Sequence, residues 1–116
     1  MVNEMADKGE LEREVMHLQN YERQLQAVLM QKQQIQMQLN ESNLALEELK
    51  KAKGDVYKAI GSVMIKTTAA EAEKDLNERK NLMEMRVKTL SAQEEKVKSE
   101  LLRLQKKLKD ELGQNE

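Results

Sequence analysis

The sequence contains no cysteine, proline, phenylalanine or tryptophan, and only four glycines in 116 residues. Its only aromatics are Tyr21 and Tyr57. Without thiols, disulfides, thiolate chemistry and cysteine-ligated zinc are excluded. A chain of this length allows one small domain, and small domains bury so little surface that they lean on large apolar anchors. Aromatics supply most such anchors. Their scarcity, beside 35% charged residues, argues against a globular enzyme and for long helices sharing a narrow apolar seam. An excess of one charge sign is also missing: 20 basic and 21 acidic residues leave a net charge of −1. That removes the usual electrostatic reason to expect nucleic acid or an acidic membrane as partner. No apolar run approaches the roughly 20 residues that span a bilayer. The first eight residues lack the basic segment and apolar stretch of a secretory signal. The expectation is a soluble, cytoplasmic chain.

What is present is a seven-residue beat. Leu11, Leu18, Leu25, Leu39 and Leu46 fall on one position, interrupted by Lys32. Three residues after each come Glu14, Tyr21, Val28, Ile35, Ser42 and Leu49. A pattern sustained this long predicts a coiled coil, with the polar interruptions setting register at some cost in stability. The helix is expected over about 10–53, with Gly9 before it and Gly54 after it. A second helix is expected over about 68–112. Thr68-Ala69-Ala70-Glu71 fits a capping box at its start. Its seam is Leu76, Met83, Val87, Leu90, Val97, Leu101, Leu104 and Leu108, with Lys80 and Glu94 interrupting and Gly113 as its end. Folding back as an antiparallel pair buries both seams, brings Leu49 to the Leu76 region and gathers the two chain ends at a distal tip.

The middle differs in kind. Asp55–Ile60 and Ser62–Lys66 are rich in β-branched residues and flank Gly61, which predicts a β-hairpin over about 55–66. A lone two-stranded hairpin is marginal in water, and its edges carry unpaired backbone groups. Pairing with the same element of other subunits resolves both problems. The expected oligomerisation contacts are Val56, Tyr57, Ile60, Val63, Met64 and Ile65. The plainer alternative is a hairpin that packs on its own helix ends.

Nothing in the chain assembles into a catalytic site. His17 is the only histidine, so neither a His-based metal site nor a catalytic triad can be built from one chain. Glu47-Glu48, Glu71/Glu73 and Glu94-Glu95 fall on helix faces without a pocket to shift their titration. The scattered glycines form no phosphate-cradling loop. No enzyme and no cofactor are expected. The basic run Lys96, Lys98, Arg103, Lys106, Lys107 and Lys109 is interleaved with acids and has no aromatic for base stacking. It reads as a solvated face with pairs such as Glu94–Lys98. The glutamine-rich stretch from Gln19 to Gln38 reads in the same way, as good helix formers at exposed positions.

The distal tip carries more. Val2, Met5, Leu11, Val15, Met16 and Leu18 come from one end, and Leu101, Leu102, Leu104, Leu108 and Leu112 from the other. A two-helix seam uses two positions per heptad, and Val15, Met16, Leu102 and Leu112 fall outside it. Surplus apolar surface marks either an interaction site or the seal of a larger helix bundle. Methionine, unbranched and adaptable, suits varied partners.

Several segments carry a resemblance to a known family. They are Tyr21-Glu22-Arg23-Gln24-Leu25-Gln26, Gln31-Lys32-Gln33-Gln34 and Leu44-Ala45-Leu46-Glu47-Glu48-Leu49, with Arg86-Val87-Lys88-Thr89-Leu90 and Gln93-Glu94-Glu95 in the second helix. The specific part is the hairpin, Val56-Tyr57-Lys58-Ala59-Ile60-Gly61-Ser62-Val63-Met64-Ile65-Lys66. Over roughly residues 11–112 the chain resembles the β-class subunit of prefoldin, archaeal type. The resemblance implies a mainly α fold, a long antiparallel two-helix coiled coil whose central hairpin oligomerises into a β-barrel. It implies a hexamer of two α-class and four β-class subunits that captures unfolded proteins at the coiled-coil tips without ATP. It also implies transfer of those clients to a group II chaperonin. The client-binding residues would be Leu11, Val15, Met16, Leu18, Leu101, Leu104, Leu108 and Leu112. The family often has a proline-containing segment before its first helix, where this chain has Met5-Ala6-Asp7-Lys8-Gly9-Glu10. A rival of another class is a coiled-coil tether with no affinity for unfolded chains.

Overall fold

The computed structural model describes residues 4–114, and the side chains of residues 8–113. The order of elements is α1 (Glu4–Lys51), β1 (Val56–Ile60), β2 (Val63–Thr67) and α2 (Ala69–Gln114). The expected helix–hairpin–helix order is present, with shifted ends. Helix α1 begins at Glu4, so Gly9 lies inside it rather than before it. Glycine in a helix costs about 1 kcal/mol relative to alanine, and with no proline nearby that is too little to stop a long helix. Gly113 is likewise inside α2. Val2 lies outside the described residues, as does the side chain of Met5.

Helix α1 stops at Lys51 for identifiable reasons. Lys50 and Lys51 place positive charge on its last turn, where the carbonyl ends of the helix favour it. The Ala52 N–H donates to the Leu49 carbonyl at 3.3 Å, tightening the exit. Gly54 then takes φ +120°, a backbone state that suits glycine. Helix α2 starts with half of the expected capping box. The Glu71 N–H donates to Thr68 Oγ1 at 3.1 Å, as such a cap requires. The Glu71 carboxylate accepts from the Thr67 hydroxyl at 3.2 Å instead of from the Thr68 backbone. The Ala72 N–H donates to the Thr68 carbonyl at 3.0 Å and begins the helical ladder.

The two strands pair antiparallel, with Val56 opposite Thr67 and Ile60 opposite Val63. Gly61 and Ser62 form the two-residue turn between them, and Gly61 sits at φ +60°. Both tight hairpin turns need a positive φ at that first position, which is why glycine stands there.

The helices distribute over two compact units. One contains α1 up to Gln31 and α2 from Leu90; the other contains Lys32–Thr89 with the hairpin. In the first, Leu90 is fully buried, and Leu104 and Leu108 nearly so. Leu11, Leu18, Tyr21, Leu25, Val28, Val97 and Leu101 are half-buried on the same seam. Tyr21, Gln24, Ala27 and Val28 share a shallow groove with Gln93, Lys96, Val97 and Glu100, while Glu14 meets Lys107, so the helix segments run antiparallel there. In the second unit Ser42 is buried and Ile35, Leu39, Leu46, Leu49, Leu76, Met83 and Val87 are half-buried. Leu49 and Leu76 line one groove, as the folding-back argument required. Each segment has one helical neighbour, so most seam residues are covered on one side only. Lys32, Lys80 and Glu94, the polar interruptions, are half-buried at their seam positions.

Candidate functional site

Two surfaces stand out, one in each unit. The first is the hairpin. Strand alternation sends Val56, Lys58 and Ile60 to one face with Val63, Ile65 and Thr67, and Tyr57 and Ala59 to the other with Met64 and Lys66. Only the Val56–Thr67 pair, next to the helix ends, is half-buried. Tyr57, Ile60, Val63, Met64 and Ile65 are all exposed. Beyond its first pair, Tyr57 lines a groove with Leu49, Ala72 and Leu76 and Lys58 reaches Asp75, while Ile60, Val63, Met64 and Ile65 stay open. Both of its faces and its outer backbone edges lie open, a combination that single chains avoid.

Two exposed ion pairs accompany this open hairpin. Lys58 Nζ donates to Asp75 Oδ2 at 2.9 Å, tying β1 to the first turns of α2. That bond, then the ammonium charge, holds the Asp75 carboxyl below its ordinary range. Lys66 pairs with Asp55 at 3.4 Å.

The second surface is the end of the other unit that carries Glu14. Val15, Met16, Leu102 and Leu112 are exposed there. These are the four residues that the heptad count left outside the seam. Leu11, Leu18 and Leu101 are half-buried. Leu104 and Leu108 are 5% and 8% exposed; they serve the seam and are not displayed to a partner while the helices are paired. Leu102, 64% exposed, is the leucine presented in their place.

Glu14 lies among these side chains. It is nearly buried, and Lys107 Nζ donates to its Oε1 at 2.6 Å. The bond and the carboxylate charge raise the Lys107 ammonium above its ordinary value. Glu14 Oε2 is buried with no hydrogen-bond donor. Glu111 on α2 is half-buried beside it, and burial, then the Glu14 charge, raise its carboxyl above the ordinary value.

Heptad reasoning also passed over a stripe. Counting sevens from the exposed Met16 gives Arg23, Met30, Met37 and Leu44. Met30 is exposed in the first unit, and Met37 and Leu44 in the second. These positions point away from the seam, and the count that found the seam would have found them too. Leu82 and Met85 are similarly exposed on α2.

The remaining polar features are ordinary. Lys98 donates to Glu94 at 2.8 Å, the expected pair one turn apart, and this bond raises the lysine above its ordinary value. Arg103 donates to Glu100 from both Nε and Nη2. His17 is exposed. Among the described residues, no group of three or more His, Cys, Asp or Glu side chains is placed to hold a metal ion. Among them, too, no helix is long and apolar enough to cross a membrane.

Comparison with known proteins fits this geometry. The profile of a family described as prefoldin subunit matches residues 12–115. A prefoldin subunit beta of Methanothrix thermoacetophila is 36% identical over 55 residues, which is 47% of this chain and 46% of that protein. One of Methanocella arvoryzae is 42% identical over 53 residues, 46% of this chain and 42% of that protein. These alignments span less than half the length of either relative. A crystal structure of the prefoldin beta subunit from Thermococcus strain KS-1 superposes with a TM-score of 0.82 at 32% identity, covering 89% of this chain and 92% of that one. The two helices, the open hairpin and the matched residues place this chain in the prefoldin subunit family, in its β class.

Proposed function

We propose that the chain is a subunit of an ATP-independent holding chaperone, which binds unfolded proteins at the Glu14-bearing end of its coil. The observation that carries this reading is the exposure of Val15, Met16, Leu102 and Leu112 beside a seam that is already filled. Fully burying such a side chain is worth about 1.5–3 kcal/mol. Each is partly covered already, so a client gains about 1 kcal/mol per residue. One end alone holds a client weakly. Several ends around one cavity make each later contact intramolecular, and weak patches then add up.

The hairpin supports the assembly this requires. Its exposed residues Tyr57, Ile60, Val63, Met64 and Ile65, with Val56, would pair with the hairpins of other subunits and close a β-barrel. The assembly is two α-class and four β-class subunits, working in the cytoplasm and passing clients to a group II chaperonin. Release needs no nucleotide if the chaperonin competes for the same apolar client segments.

The test dilutes a chemically denatured, unrelated protein into buffer without ATP, beside the mass-verified assembly. The expected result is suppressed light scattering at near-stoichiometric hexamer, lost when Met16, Leu102 and Leu112 are all replaced by serine. A hexamer of full mass that leaves scattering unchanged would favour the coiled-coil tether.

A further inference from the structure

Glu14 occupies a seam position, where heptad periodicity calls for an apolar side chain. Lys107 satisfies its Oε1, and its Oε2 is buried without a donor. A buried acceptor in that state is costly. The neighbours facing it carry mostly the wrong charge to help. From α1 comes Glu10, from α2 come Glu111 and Lys107; three carboxyl groups share one ammonium. His17, one turn further along α1, is exposed.

One of these neighbours can supply the missing donor. We propose that Glu14 and Glu111 form a proton-operated latch across this end of the coil. A proton taken from solvent by Glu111 makes its carboxyl a donor to Glu14 Oε2; its loss leaves two facing carboxylates and loosens the end. The half-buried position of Glu111 favours the protonated form, and its carboxyl lies above its ordinary value of 4.5 for that reason first.

The sign of the effect follows. Above pH 4.5 the closed end binds more protons at Glu111 than an open end does. Closure is therefore fully favoured below that pH and weakens as pH rises through the elevated value. Opening would uncover Leu104 and Leu108, which the closed seam hides. The consequence for clients rests on the holding function proposed above, with more apolar surface offered near neutral pH than in mild acid. The latch itself does not rest on it.

Backbone hydrogen exchange, read by mass spectrometry on the full assembly, tests the latch without any client. Wild type is compared with Glu111→Gln and Glu111→Ala at each pH, so that the intrinsic chemistry of exchange cancels. The glutamine amide donates to Glu14 Oε2 at every pH, whereas alanine removes both the charge and the donor. Near neutral pH, peptides at residues 8–18 and 104–113 should exchange about three- to tenfold faster in wild type than in Glu111→Gln. The two should converge as pH falls to the ordinary carboxyl value of 4.5 and below, while Glu111→Ala stays faster than Glu111→Gln throughout. A wild-type to Glu111→Gln ratio that does not change with pH would overturn the latch. So would equal protection in Glu111→Gln and Glu111→Ala, since charge alone would then explain the result. Loss of client holding with the latch intact would instead count against the proposed function.

Discussion

Replacing both Val63 and Ile65 by aspartate separates assembly from folding. The two side chains are 56% and 47% exposed, and in the ladder they stand opposite Ile60 and Lys58. In the lone chain little is lost, because substitutions at open surface positions stay within about 0.5 kcal/mol. The aspartate replacing Ile65 would even face a lysine. In a barrel of joined hairpins the same change is severe. About half the burial of each side chain is still to be gained, roughly 1 kcal/mol apiece, and all of it is lost. An unpaired carboxylate forced between strands adds several kcal/mol more, at every β-class subunit of the ring. The assay is light-scattering mass after gel filtration with an α-class partner, alongside far-ultraviolet circular dichroism. The expected result is loss of the full-mass assembly with helical signal retained. A variant that still reaches full mass would show that these strands are not the interface. Loss of helical signal would show that the hairpin stabilises its own chain, contrary to its exposure.

Three further outcomes follow from particular contacts. Leu90→Ala empties a fully buried position and should cost about 3 kcal/mol, read as a lower midpoint in thermal unfolding; a midpoint shift within error would mean the site is not a packed core. Asp75→Asn removes the partner of Lys58. Asp75 is held below its ordinary value of 3.8, so its contribution is present above that pH and lost as pH falls through the lowered value. The variant should therefore unfold below wild type at neutral pH and together with it in strong acid; a gap that persists in acid would refute the ion-pair account. Thr68→Ala deletes the hydroxyl that caps α2 and should cost about 1 kcal/mol, with faster hydrogen exchange at residues 69–72; unchanged exchange would mean the cap is idle.

The fold was legible in this sequence because its two signals are periodic or stereochemical. Leucines every seventh residue specify a seam, and Leu90, Leu104 and Leu108 are buried where the count placed them. Gly61 between two β-branched runs specifies a tight turn, and its φ of +60° is the state that turn needs. Helix ends were less legible. Gly9 looked like a boundary, but glycine only weakens a helix, and α1 runs through it to begin at Glu4. The candidate site was legible in part. Heptad position separates the displayed Val15, Met16, Leu102 and Leu112 from the seam, yet the same logic applied strictly withdraws Leu104 and Leu108 from display. Glu14 shows where periodicity stops. It marks a polar residue in an apolar position, but not which oxygen finds Lys107 and which is left without a donor. That depends on the partner helix, and so on the three-dimensional register.

The most direct test of client capture is photo-crosslinking on the assembled protein. A photoreactive residue replaces Met16 or Leu112, both exposed at the Glu14-bearing end, or Gln33, exposed elsewhere on α1. A chemically denatured client is then diluted in without ATP and the sample is illuminated. Strong adducts from positions 16 and 112, with little from position 33 and little from the same client in its native state, are expected. Equal yields from all three positions, or none from 16 and 112 in an assembly of verified mass, would contradict capture at that end.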